Sequence, residues 1–255
     1  AELCKALKIG FLCTAFDVTL LADLVALGMP CIKIASGELT NSPALEHAAA
    51  LDRPILLSTG MASLAEVRAA LDVLGRAGGR EVTLLHCTSL YPAPSDAINL
   101  RAMVTLRETF DRPVGYSDHS LGDHVAIAAV ALGARVIEKH LTLDANASGP
   151  DHAVSLEPDS FATMVGRLRE TVAVLGDGVK APTPDEVAMA ALVRRSWHAA
   201  HNIDAGHRLT EGDVCLKRPA TGLAPDESPV GRQMAVACPA DAPIREADLV
   251  AGHAS

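Results

Sequence analysis

Residues 113–140 read PVGYSDHSLGDHVAIAAVALGARVIEKH. An apolar run, Pro113–Tyr116, ends in Ser117-Asp118-His119; a loop and an amphipathic stretch over Gly122–Leu132 follow, and a second run, Arg135–Lys139, ends at His140. Strand, helix, strand in that order predicts a parallel crossover, because a parallel partner is reached only through a connection long enough to return along the sheet. The theme recurs over the first 175 residues. Further strands are expected at Gly10–Phe16, Cys31–Ala35, Pro54–Leu57 and Val82–His86, making six, with helices near Thr19–Leu27, Ser42–Leu51, Ser63–Gly75, Asn99–Phe110 and Glu157–Leu175. Ser63 with Glu66 forms a capping-box pattern, and Asn41 or Ser42 before Pro43 marks another helix start.

Two closures suit such a chain, an open doubly wound sheet or a (β/α)8 TIM-type barrel. No G-x-G-x-x-G follows any strand, whereas every strand ends in reactive side chains, which is where barrel enzymes build their sites. The expectation is therefore an α/β barrel. Six strands are two short of eight, so the reading is a barrel lacking its first two βα units, with residues 1–8 as the tail of a helix whose own strand is absent. Beyond Leu175 the pattern changes: Gly176-Asp177-Gly178, Pro182 and Pro184 interrupt it. The expected domains are a partial barrel over 1–175, a linker over 176–195 holding a short helix at Asp185–Val193, and a small β-rich module over 196–255, which at about 60 residues needs a docking surface.

Composition narrows the function. Of 255 residues 49% are apolar and 21% charged, and the net charge is −9, with 22 Lys and Arg against 31 Asp and Glu. With only 3% aromatic residues and no basic block, no nucleic-acid partner is expected. The longest uncharged apolar stretch, Val125 to Ala134, is far below the roughly 18 residues that span a bilayer, so no membrane partner is expected either. Six cysteines at 4, 13, 31, 87, 215 and 238 include no C-x-x-C pair, and no secretion signal opens the sequence. A cytoplasmic enzyme is the default expectation.

The strand ends carry the chemistry. Cys31-Ile32-Lys33-Ile34 puts Lys33 on the lumen face with Cys31, with Ser36 and Glu38 just past the rim, and a lysine there needs an anion or carboxylate partner. A structural salt bridge is the alternative. Leu57-Ser58-Thr59-Gly60 offers hydroxyls and close backbone approach to a phosphate or carboxylate. His119 and His140 end neighbouring strands, and two imidazoles so placed suit one divalent cation with positions left open, as a Lewis acid requires. In Leu85-His86-Cys87-Thr88-Ser89 neighbours point to opposite faces, so Cys87 is rejected as a nucleophile paired with His86; it reads, like Cys31, as a small core residue, and His86 is the candidate to line the lumen. Asp151 and His152, in the polar loop after the last strand, are placed to reach over the mouth. His47, His124, His198, His201, His207 and His253 are assigned to surface or packing.

The ordered motifs Ser36-Gly37-Glu38 with Thr40-Asn41, Ser58-Thr59-Gly60-Met61, His86-Cys87-Thr88-Ser89 with Tyr91-Pro92-Ala93-Pro94, Gly115-Tyr116-Ser117-Asp118-His119, Glu138-Lys139-His140 and Gly149-Pro150-Asp151-His152 resemble the sialic acid synthases of the N-acetylneuraminate synthase family. The resemblance runs from Phe11 to Val250. Asn202-Ile203-Asp204-Ala205-Gly206 and Lys217-Arg218-Pro219 are similar to the antifreeze-like SAF module that follows the barrel in that family. It implies condensation of phosphoenolpyruvate with an N-acylated hexosamine such as N-acetylmannosamine, giving N-acetylneuraminate or a related nonulosonic acid and phosphate. It implies a divalent metal, Mn2+ or Mg2+, on His119 and His140, with catalytic roles for these two, Glu38 and Lys33. Thr14, Lys33, Ser36, Ser58 and Ser117 would hold phosphate and carboxylate, and Glu38, Tyr91 and Asp151 the sugar. Ser89 stands where N-acetylmannosamine-specific members can have asparagine, and related synthases for legionaminic or pseudaminic acid share most of the motifs, with Gly149-Pro150-Asp151-His152 leaning towards the sialic or legionaminic branch. It further implies a domain-swapped homodimer in which Arg218 reaches the partner's sugar. Family members begin with two further strands carrying a Glu in E-x-G-x-N-H and a Lys, both absent here. The rivals are an inactive, ligand-binding relic of the family and another phosphoenolpyruvate aldol-type barrel making a 2-keto-3-deoxy sugar acid.

Overall fold

In the computed structural model, which describes residues 1–79 and 81–251, five short parallel strands form one sheet in sequential order. They are β1 (Ile32–Ile34), β2 (Ile55–Ser58), β3 (Val82–Cys87), β4 (Val114–Asp118) and β5 (Ile137–Lys139). Helices α1 (Glu2–Ala6) and α2 (Leu21–Ala26) precede β1, and α3 (Ser42–Ala50), α4 (Leu64–Arg76), α5 (Arg101–Phe110) and α6 (His124–Ala131) fill the four crossovers. After β5 comes α7 (Pro158–Leu175). The starts follow local chemistry. The Asn41 side chain accepts the Ala44 N–H to begin α3, and Ser63 and Glu66 make a complete capping box at α4.

The alternation of each strand sorts its residues onto two faces. Ile32, Ile34, Ile55, Leu57, Val82, Leu84, Val114 and Tyr116 are buried together with Leu45 and Ala48 of α3, Val67 and Leu74 of α4, Met103 and Leu106 of α5, and Val125 and Ala129 of α6. Each Val, Leu, Ile and Met side chain among these, removed from water, contributes about 1.5–3 kcal/mol against the chain entropy lost on folding. The opposite face carries Lys33, Leu56, Ser58, Leu85, Cys87, Ser117 and Glu138, as the strand register requires. That face curls inward: β1 and β5 are the two edges of the sheet, yet Lys33 Nζ on one lies 3.4 Å from Glu138 Oε2 on the other. Gly115 lets the curl close, since a Cβ there would fall 2.5 Å from the Val136 carbonyl and 2.6 Å from Leu85 Cδ2.

One expected strand is not formed. Gly10–Phe16 joins no ladder, and its Cys13 N–H donates instead to the Met29 sulfur at 3.3 Å. A β-branched or apolar run becomes a strand only where a second backbone pairs with it, and β1 pairs only with β2.

Contacts divide the chain into two compact units, Ala1–Asp177 and Gly178 onward. The second opens with α8 (Pro184–Val193), started by a Thr183–Glu186 capping box and tied within its own unit by the Ala220 N–H to the Ala191 carbonyl at 3.0 Å. Strands β6 (Ser196–Ala199) and β7 (Val214–Lys217) pair antiparallel, and single bridges such as Ile203–Cys238 and Met234–Leu249 wrap a small core of Ala199, Ile203, Leu209, Leu223, Ile244 and Leu249. The buried carboxylate among its described residues, Asp213, accepts from the Thr210 hydroxyl at 2.6 Å and N–H at 2.7 Å, and faces the rings of His207 and His201 at 3.0 and 3.1 Å. The Thr210 hydroxyl first, then His207, hold its carboxyl far below the usual carboxylate range. His201 and His207, assigned to surface or packing, both lie at the surface and pack against this carboxylate. His253 lies outside the described residues.

Candidate active site

The C-terminal strand ends open into a cavity of about 440 Å³ on the curled face. One side is a hydroxyl and ammonium cradle made by Lys33, Ser36, Ser58 and Ser117, with Thr14 beside it. The Ser36–Glu38 stretch is a single 3-10 turn after β1, which delivers Ser36 to the cavity, where its hydroxyl accepts the Gly60 N–H at 3.0 Å. Gly60 is required here: a Cβ would run into the Ser89 hydroxyl and come within 2.9 Å of Ser36 Oγ and 3.2 Å of Cys87 Sγ. Ser58 Oγ is buried and has no hydrogen-bond partner in the protein. An orphan buried hydroxyl facing a cavity calls for a ligand atom or water to complete it. Lys33 is buried, and its neighbour Glu138 is 42% exposed, so the cation is only partly neutralised towards the opening.

The other side is an imidazole pair. The rings of His119 and His140 lie 5.4 Å apart edge to face, and Tyr91 packs on both, at 4.1 Å from His119 and 5.7 Å from His140. His119 Nδ1 donates to the Thr88 carbonyl at 2.8 Å, so in the neutral ring Nε2 is the nitrogen left with a lone pair. Burial works against charge on His119, but the Cys87 sulfur, the Thr88 carbonyl and Glu138 outweigh it and raise its pKa. Burial and then the neighbouring His119 push the pKa of His140 down. Asp151 Oδ2 stands 3.8 Å from His140 Nδ1. Among the described residues no group of three His, Cys, Asp or Glu side chains is arranged to hold a metal. The donor set is thus two imidazoles. It fits a cation that keeps positions for substrate oxygens and not a closed structural zinc site.

Most of the expected residues line this one cavity: Thr14, Lys33, Ser36, Ser58, Ser89, Tyr91, Ser117, His119 and His140. Glu38 does not line it. The same 3-10 turn sends its carboxylate to Asn41 Nδ2 at 2.6 Å, beside the start of α3. Arg218 belongs to the second unit, just after β7.

Two assignments on β3 are corrected. His86 faces the helices, where its Nε2 meets the Ile98 carbonyl at 2.8 Å and its ring lies 5.9 Å from Tyr116. Burial pushes its pKa down. Cys87, expected as inert core, is the residue on the cavity face, because its register partner on β4 is Ser117. Its sulfur is 3.8 Å from His119 Nδ1. Burial would raise the thiol's pKa, but the His119 contact and the Ser36 and Ser89 hydroxyls bring it below the usual value. Glu138 is the cavity residue that sequence reasoning passed over, although alternation from His140 would have placed it there.

Comparison with known proteins gives the family. The NeuB family model matches residues 1–180, and a SAF domain model matches residues 194–250. The chain belongs to the NeuB family. It is 46% identical to the N,N'-diacetyllegionaminic acid synthase of Campylobacter jejuni over 86% of this chain and 66% of the relative, and 44% identical to the Legionella pneumophila enzyme of that name over 89% and 65%. The N-acetylneuraminic acid (sialic acid) synthetase of Leptospira borgpetersenii, solved with citrate, superposes with a TM-score of 0.69 at 37% identity, over 74% of this chain and 66% of that one. The chain thus spans just under two thirds of the length of these curated relatives. Among the described residues no helix is long and apolar enough to cross a membrane.

Proposed function

We propose that this NeuB-family chain is a nonulosonic acid synthase, joining phosphoenolpyruvate to an N-acylated hexosamine. The observation that carries the reading is the juxtaposition of an anion cradle with an incomplete hydrogen bond, at Lys33, Ser36, Ser58 and Ser117, and an open imidazole pair across one cavity. Support also comes from the N,N'-diacetyllegionaminic acid synthases among its relatives, so the substrate panel begins with N,N'-diacetylated hexosamines alongside N-acetylmannosamine. The curled sheet is read as an arc of a (β/α)8 barrel, in keeping with the Lys33–Glu138 pair across it and with the Leptospira synthetase.

In this reading C3 of phosphoenolpyruvate forms the new bond to the aldehyde carbon of the open-chain sugar. Water then adds at C2, and phosphate leaves with cleavage of its C–O bond, giving a 2-keto acid. Lys33 and the serine hydroxyls bind the phosphate and carboxylate and fix the enol's orientation, which turns a bimolecular encounter into an effectively intramolecular one. Tyr91 covers one side of both imidazoles and limits water there. His119 and His140 would hold a divalent cation, Mn2+ or Mg2+, which when bound supplies Lewis-acid polarisation of the aldehyde oxygen. Asp151 is assigned to the sugar, and Ser89 to substrate binding at the same mouth. By resemblance, the chain acts as a homodimer in which Arg218 serves the partner's sugar site.

The test is phosphate release from phosphoenolpyruvate and each hexosamine in Mn2+, with a chelator control and mass detection of the nine-carbon acid. Chelator-sensitive product is expected. A folded protein that binds phosphoenolpyruvate and Mn2+ but forms no product with any N-acylated hexosamine would instead leave the inactive-relic reading standing.

A further inference from the structure

On the helix-facing side of the sheet, Asp118 and Lys139 form the last register pair of the β4–β5 ladder. Lys139 Nζ lies 3.0 Å from Asp118 Oδ2, and both side chains are completely buried. Asp118 Oδ1 takes the Ser120 N–H at 2.8 Å and the Ser120 hydroxyl at 2.6 Å, while Lys139 Nζ also donates to the Ser120 carbonyl. The pair therefore closes a ring of bonds around the residue after His119. In sequence, Asp118 immediately precedes His119 and Lys139 immediately precedes His140. Alternation sends the ion pair to one face and the two imidazoles to the other.

We propose that the buried Asp118–Lys139 pair is a positioning device, which clamps the ends of β4 and β5 in register so that His119 and His140 face a single cation. A sealed ion pair is a poor source of stability, because desolvation offsets most of its attraction and an apolar pair of similar volume often does as well or better. What an apolar pair lacks is directionality. The three bonds to Ser120 fix the chain path through His119, where the ladder ends and register alone no longer restrains it. On the far side of the pair, His140 is held by its carbonyl, which accepts the Leu156 N–H at 2.9 Å. Neither Asp118 nor Lys139 lines the cavity, so both act through their neighbours.

The inference rests on reading His119 and His140 as the cation's ligands, and the experiment separates the two. Mn2+ affinity of the full chain is measured by calorimetry and by loss of the free-ion paramagnetic resonance signal, for the wild type, His119→Ala, Asp118→Asn and the double variant Asp118→Leu with Lys139→Met. Ring nitrogen shifts of His119 and His140 are recorded by NMR on the same metal-free proteins. Asp118→Asn keeps the shape and the Ser120 bonds but leaves the Lys139 ammonium without its carboxylate, and the double variant removes both charges together, so the second serves where the first does not fold. Expected is Mn2+ binding weakened about 10- to 100-fold in the folded variants, the range for residues that orient metal ligands, together with displaced ring signals. Folded variants with wild-type affinity and unmoved ring signals would overturn the clamp. If wild type and His119→Ala bind Mn2+ alike, the cation reading fails. The ring signals then decide the clamp alone, moved in its favour and unmoved against it.

Discussion

The two faces of one sheet each carry a lysine–carboxylate pair, and they work differently. Lys33–Glu138 spans the cavity at 3.4 Å with its carboxylate 42% exposed, whereas Asp118–Lys139 is sealed at 3.0 Å between the sheet and its helices. The open pair leaves a cation able to exchange its partner for an incoming anion. The sealed pair has nothing to exchange with, and removing one member strands the other in a medium that cannot solvate it. The same chemical pair is therefore a binding group on one face and a fixed strut on the other.

The largest effect is expected where the cavity face meets the chemistry. His119→Ala should lower kcat/KM at least about 10³-fold, roughly 4 kcal/mol of transition-state stabilisation. Steady-state kinetics checks this, and a residual activity near wild type would remove the imidazole pair from the mechanism. Next, Lys139→Met should destabilise the first unit by about 3–5 kcal/mol in denaturant titration, because Asp118 loses its partner in a dry site. Lys33→Met should cost under about 1 kcal/mol in the same titration, since Glu138 remains hydrated, while raising KM for phosphoenolpyruvate about tenfold or more. Equal stability losses for the two lysine variants would erase the contrast between the faces. Gly60→Ala is expected to weaken phosphoenolpyruvate binding by several-fold with little loss of stability, because its methyl group displaces the Ser36 and Ser89 hydroxyls and no core residue.

The smallest effect concerns the second unit. Asp213 has its pKa depressed, so it contributes stability above the unfolded carboxyl value near 3.9, and that contribution is lost as pH falls below about 4 through the folded value. Thermal unfolding of the second unit should therefore lose stability on acidification in this window, and Asp213→Asn should flatten the dependence. An unchanged acid limb in the variant would locate the sensitivity elsewhere.

Much of this could be read from residues in order. Five of the strands and the helices between them followed from apolar runs, capping boxes and glycines, all of which act through neighbours in the chain. So did the lumen face of Lys33, because alternation is a local rule. His86 and Cys87 went wrong for the same rule's weakness: alternation says that they differ in direction, but not which of them faces the cavity until β3 is laid against Ser117 of β4. Gly10–Phe16 has the composition of a strand but joins no ladder among the described residues. Glu38 sits in a motif beside Ser36, yet a single 3-10 turn separates their destinations.

The sequence by itself determined the order of strands and helices, the placing of reactive side chains at strand ends, and the family, because each depends on spacing along one chain. Only the tertiary structure decided which face each pair of charges occupies, that Lys33 reaches Glu138 from the opposite edge of the sheet, and that Ser58 is left without a partner. Those facts depend on the curl of the sheet. Curl brings together residues about a hundred positions apart, a distance over which local propensity carries no information.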